Sequence, residues 1–136
     1  MPFREVPHTA DWALQVWASD LPGLFREAAL GMNALAGMQL SEGPRLSRSF
    51  HTESPDAESL LVAFLTELIY YAEQEHLGFD QFAIRFEETP NVMRFQVEMS
   101  GAPLERINKV IKAVTYHNLA IRSSEDGLNV TIVFDV

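Results

Sequence analysis

Apolar and polar positions change period several times along this chain. "FREV" (3–6) and "WALQVWA" (12–18) alternate, with Trp12, Leu14 and Val16 set against Ala13, Gln15 and Trp17, which predicts two half-buried strands. The period then lengthens. Leu21, Leu24, Phe25, Ala28, Met32 and Leu35 recur at helical spacing behind a Ser19 or Asp20 cap and Pro22. A helix is predicted to about Ala36, closed by Gly37. "MQLSEGPR" reads as a loop broken at Gly43-Pro44, and "RLSRSFHTE" (45–53) as a third strand. A second helix is predicted from Pro55 and Asp56 to Glu75, apolar on most sides and therefore the more buried, with Gly78 closing it.

Alternation returns in the last third. "FDQFAIRFEE" (79–88) and "NVMRFQVEMS" (91–100) predict an antiparallel hairpin over Thr89-Pro90. "GAPLERI" reads as a loop with room for one helical turn. "KVIKAVTYHNLAIRS" (109–123) and "LNVTIVFDV" (128–136) predict a second hairpin over "SEDG", where Asp126-Gly127 is a strong turn signal. The order is ββαβα followed by four strands: an α+β fold, largely antiparallel, with two main helices packed on sheet. With no linker or repeat, residues 1–136 read as a single domain.

Composition narrows the class of function. An apolar share of 47 % in 136 residues is enough for a real core. The absence of cysteine removes disulfides, zinc–thiolate sites and thiol nucleophiles, and suits a reducing, cytoplasmic setting. "MPFREVPHTAD" has no basic-then-apolar leader pattern, and "LLVAFLTELIYYA" (60–72) is too short and too interrupted to span a bilayer, so no membrane role is expected. Nineteen acidic residues against ten basic give a net charge of −9, which disfavours direct binding to nucleic acid and favours recruitment of a cation.

The candidate chemistry begins with "HTAD" (8–11). An Asp just before a strand usually holds a turn. Its counterpart is Asp135, a lone carboxylate ending the apolar strand "NVTIVFDV", in which Val130, Ile132 and Phe134 share one face and Thr131, Val133 and Asp135 the other. A cation shared by Asp11 and Asp135 would fix a strand end that otherwise frays. Carboxylate, carbonyl and water ligands suit Mg²⁺, Ca²⁺ or Mn²⁺ rather than zinc.

"KAVTYH" (112–117) is dense in polar handles for a central strand, with Ala113, Thr115 and His117 on one face and Lys112, Val114 and Tyr116 on the other. Good strand propensity explains it without function. A transition-metal site of His8, His117 and Asp11 ranks below the oxygen site. Glu67, beside Ser59, Ala63 and Tyr70, has solvation as its ordinary explanation; His51 and His76 read as surface residues. Phosphate-binding glycine loops and hydrolase motifs are missing, so a stand-alone enzyme, such as a metal-dependent hydrolase, has only the His8, Lys112 and His117 set behind it.

"HTAD", "LFREAALGM", "LLVAFLTELIY", "KAVTYH" and "VFDV", collinear over essentially the whole chain, resemble the archease family. The resemblance implies a small cytoplasmic α+β protein that activates an RtcB-type RNA ligase without being an enzyme itself. That ligase joins 2′,3′-cyclic-phosphate or 3′-phosphate ends to a 5′-hydroxyl through a guanylylated histidine. Its activator is expected to promote guanylylation and repeated turnover, in tRNA splicing or RNA repair. The resemblance further implies a divalent cation, Ca²⁺ or Mg²⁺ with Mn²⁺ as a third option, held by Asp11, Asp135 and the main-chain carbonyl of Val136. His8, Lys112, Thr115 and His117 are expected near it, and Glu67 is a further candidate for the site or for partner contact. Two departures stand out: Phe64 occupies a position where Trp is expected, and "GAPLERINKV" is short, which bears on partner fit. The alternative reading is a chaperone-like modulator of RNA-processing or RNA-modifying enzymes, which would need an exposed apolar surface.

Overall fold

Capping chemistry starts both helices where the sequence places it. The computed structural model describes residues 2–6 and 12–136. Helix α1 (Leu21–Ala36) begins at Asp20, whose carboxylate accepts the Gly23 N–H at 2.9 Å, and ends at Gly37 in the left-handed region. Helix α2 (Ala57–Gln74) begins at Asp56, whose carboxylate accepts the Ser59 N–H at 2.7 Å. The cap rests on a specific hydrogen bond there, beyond a favourable dipole.

Two antiparallel sheets hold these helices. The first contains β1 (Phe3–Val6), β2 (Trp12–Ala18), β7 (Ala113–Val114), β8 (Arg122–Ser124) and β9 (Gly127–Asp135). Its order is β1-β2-β9, with β7 and β8 both pairing with β9. The second contains β3 (Gln39–Leu40), β4 (Leu46–Ser54), β5 (Leu77–Glu88) and β6 (Met93–Arg106), with β6 central. The α+β, antiparallel reading holds.

Helix α1 lies against both sheets. On one side Gly31 lets Leu14 and Phe3 approach so closely that an added Cβ would stand 2.7 Å from the Leu14 side chain. On the other, Asn33 donates to the Phe79 carbonyl on β5 at 2.7 Å. Between the helices and β5–β6 sits a cluster of Phe25, Phe64, Phe82, Phe86 and Phe95 with ring centroids 4.9–6.1 Å apart. Phe64, the departure from the expected Trp, is fully buried in it. Leu24, Phe25, Ala28 and Met32 are fully buried as their spacing predicts, whereas Leu21 and Leu35 are half-buried.

Four sequence expectations are corrected. "GAPLERI" is strand: β6 runs on to Arg106, pairing with the start of β5 and with β3, a short strand hidden in the expected loop. Gly101 marks a close approach there, since any Cβ would run into the backbone of Gly78. Gly78 does not close α2 but lies in β5; the helix ends at Glu75, and His76 takes the left-handed conformation, φ 54°. Finally, 109–123 is not one strand. After β7 the chain leaves the ladder at a turn, with Asn118 at φ 50° and the Leu119 N–H on the Tyr116 carbonyl at 3.1 Å. It rejoins as β8 once Leu119 and Ile121 have packed against the core and the Glu58 carboxylate on α2 has accepted the Ile121 N–H at 3.0 Å. Five strands therefore follow α2, not four.

Candidate functional site

Alternation along β9 buries Val130, Ile132, Phe134 and also Val133, and leaves Asp135 exposed at the strand's end. That end is held from both sides. On one, the β2–β9 ladder runs up to Trp12 opposite Phe134. On the other, Ala113 and Val114 pair with Asp135 and Phe134. Two further bonds extend the second side: Lys112 N–H to the Asp135 carbonyl at 2.8 Å, and Thr115 N–H to the Val133 carbonyl at 2.9 Å. Val136 is half-buried and packed against the core. The strand end is thus positioned by backbone pairing, while the Asp135 carboxylate has no hydrogen-bond or ion-pair partner among the described residues.

The "KAVTYH" block contributes by its backbone more than by a shared face. It forms the outer edge rather than a central strand. The Thr115 hydroxyl accepts the His117 N–H at 3.3 Å, opening the turn that carries Tyr116 into solvent. The His117 ring lies on that turn, its Nε2 3.3 Å from the Asn118 side-chain amide. Lys112 and Thr115 therefore flank the end of β9 through their backbones, and His117 lies on the turn that follows.

Glu67 belongs to helix α2, which packs against β7. It is half-buried on α2, and burial raises its carboxyl above the usual range. Its electrostatic neighbour is Tyr71, whose hydroxyl is pushed up by burial first and by the Glu67 and Glu75 carboxylates after it. Among the described residues, no hydrogen bond or ion pair joins Glu67 to Asp135, Lys112, Thr115 or His117. His8 and Asp11 lie outside the described residues, and among those described no three His, Asp or Glu side chains gather around a point. An exposed, unpartnered carboxylate beside main-chain carbonyls is a donor set that fits a hard divalent cation.

One contact escapes sequence reasoning. The Lys109 ammonium stands 5.4 Å from the centroid of the Trp12 ring, joining the segment before β7 to the start of β2. No local pattern announces it, because the two residues lie near opposite ends of the sequence.

Two antiparallel sheets packed with a pair of helices, with a strand end clasped between two neighbours, define a small α+β protein whose candidate site is one tip of a sheet. The chain belongs to the archease family, whose model, described as the archease protein family, matches residues 3–136. It is similar to the protein archease of Thermococcus gammatolerans, 33 % identical over 125 residues covering 88 % of this chain and 87 % of the relative. The protein archease of Methanosarcina barkeri is 30 % identical over 143 residues, covering 98 % and 95 %. The fold matches the solution structure of Methanobacterium thermoautotrophicum protein 1598, with a TM-score of 0.77 and 24 % identity over 99 % of both chains. Among the described residues, no helix is long and apolar enough to cross a membrane.

Proposed function

We propose that this chain is an accessory protein of RNA processing that activates an RtcB-type RNA ligase, promoting guanylylation of the ligase's histidine and sustaining multiple turnover in tRNA splicing or RNA repair. Membership of the archease family supports the accessory role. The partner addressed is the ligase rather than its RNA, in keeping with a net charge of −9.

One observation carries the site. Trp12 follows Asp11 in the chain, Phe134 precedes Asp135, and Trp12 and Phe134 are partners in the β2–β9 ladder. Asp11 and Asp135 are thus each one peptide link from a paired position. Two carboxylates brought together at a strand end would repel, and a divalent cation between them would remove that cost. Asp11, Asp135 and the Val136 carbonyl are the residues that would hold Mg²⁺, Ca²⁺ or Mn²⁺. When bound, such an ion supplies positive charge of the kind a nucleotidyl-transfer step uses. The chain's own part is to present that tip rigidly: Lys112 and Thr115 tie β9 along one edge, and β2 along the other.

The test is guanylylation of the host's ligase by labelled GTP with wild-type protein, Asp11→Ala and Asp135→Ala. Each variant should lose stimulation by at least about tenfold while keeping its circular dichroism spectrum. Full stimulation by both folded variants would sink the site. Protection of client enzymes from aggregation by Asp11→Ala, with no effect on any ligase, would favour the chaperone-like alternative.

A further inference from the structure

Away from the phenylalanine cluster, the last turns of α1 and α2 and the segment after β6 enclose a cleft of about 340 Å³. Met32, Met38, Ile69, Leu104, Ile107 and Val110 line it, so its floor and lip are apolar. Its lip is exposed: Val110 is 61 % exposed and Ile107 36 %, both large apolar side chains. Met38, half-buried, gives the floor an adaptable surface, with the fully buried Met32 lining it as well. The lip is pinned at one point, where the Ala36 carbonyl, at the end of α1, accepts both the Asn108 and the Lys109 N–H groups at 2.9 and 3.0 Å.

The electrostatics of the rim select the occupant. Both helices end at this cleft, and neither has a basic residue in its last turn, so the negative ends of both dipoles are uncompensated by their own sequences. Glu73 and Glu105 add two carboxylates that make no ion pair among the described residues. Against them stand the Arg106 guanidinium and the His76 imidazole, and Lys109 is turned away to the Trp12 ring. An apolar hole with a negative rim fits an apolar anchor followed by cationic side chains.

We propose that this cleft is a docking site for a partner-protein segment in which a large apolar side chain is flanked by lysine or arginine. The cleft adjoins the strand-end site directly: Ile111 lines it, and the next residue, Lys112, bonds the Asp135 carbonyl. A partner seated here would hold the β9 tip against its own surface. Identifying that partner with the ligase rests on the preceding reading; the chemistry of the cleft does not.

The methionine methyls supply the readout. Met32 and Met38 line the cleft, whereas Met99 is buried between α1, α2 and the second sheet, so ¹³C-methyl spectra report occupancy with an internal control. A synthetic leucine–lysine amphipathic peptide should shift Met32 and Met38 and leave Met99 in place, and its leucine–glutamate counterpart should bind at least about tenfold more weakly. Val110→Asp, at an exposed position, should abolish those shifts without altering the fold. The pair Glu73→Lys with Glu105→Lys should reverse the preference between the two peptides. The host's ligase should move the same two methyls, and Val110→Asp should weaken its binding by about tenfold. Unmoved Met32 and Met38 with both peptide and ligase overturns the proposal. So do shifts that survive Val110→Asp, or that arise from decanoate or from raised protein concentration but not from the basic peptide. If the ligase does not bind the wild-type chain at all, the ligase reading fails, and the peptide arm alone decides the cleft.

Discussion

The phenylalanine cluster and the β9 tip are built on opposite plans. In the cluster, Phe95 sits on the central strand of its sheet with the rings of Phe25, Phe64 and Phe86 within 5.4 Å, and virtually none of it meets solvent. At the tip, Asp135 is exposed, and the flanking segment manages two residues of strand before it turns away. One region uses its side chains for packing, and the other is held by backbone pairing and leaves the Asp135 side chain outward. Damage to the first should therefore reach function only through unfolding, and damage to the second should reach function with the fold intact.

The sharpest way to break that contrast is Phe95→Ala, which should cost about 3–5 kcal/mol in urea unfolding. A loss below 1 kcal/mol would mean that the cluster is not the centre of stability. Gly101→Ala comes next, at about 2–3 kcal/mol, because the colliding atom belongs to the backbone of Gly78 and has nowhere to go. Asp135→Ala, on the other side of the comparison, should shift metal-free unfolding by no more than about 0.5 kcal/mol. A large loss there would make the tip a structural element.

The smallest expected effect is on Glu67. Burial raises its carboxyl in the folded chain, so the folded state keeps the proton longer than the unfolded one. Its contribution is complete below the unfolded value and is lost as pH rises through the raised one. Glu67→Gln should therefore melt about a degree higher than wild type at neutral pH, with the gain vanishing below about pH 4. A gain that persists in acid would assign the effect to packing.

Much of this plan was legible in the residues. Asp20, Pro22 and Asp56 announce the helix starts because a cap is a local hydrogen bond, and the alternation in β2 and β9 announces their buried faces because it has only one consistent register with the core. Gly101 and Pro103 mislead because their reason lies in another strand: glycine here admits the backbone of β5, while Pro103, opposite Leu77, uses its carbonyl to accept from Ser41. "VTYHNLAI" misleads for a related cause. Its strand propensity is real, but Leu119 and Ile121 gain more by turning to the core, and Glu58 on α2 satisfies the Ile121 N–H that the ladder gives up. As for the site, Lys112, Ala113 and Thr115 flank the end of β9 through their backbones, and the apolar cleft had no sequence signature, being assembled from the ends of three elements.

The pairing of β2 with β9 has a consequence for synthesis. On a ribosome, β2 emerges early and must wait for nearly the whole chain before its central partner exists, whereas β4, β5 and β6 can pair as soon as residues 46–106 are out. The second sheet with its helices is thus the part able to assemble during translation. The tip that bears Asp135 is completed last, so a chain stalled or cut short before β9 is left with an unpaired β2 edge as a target for chaperones and proteases.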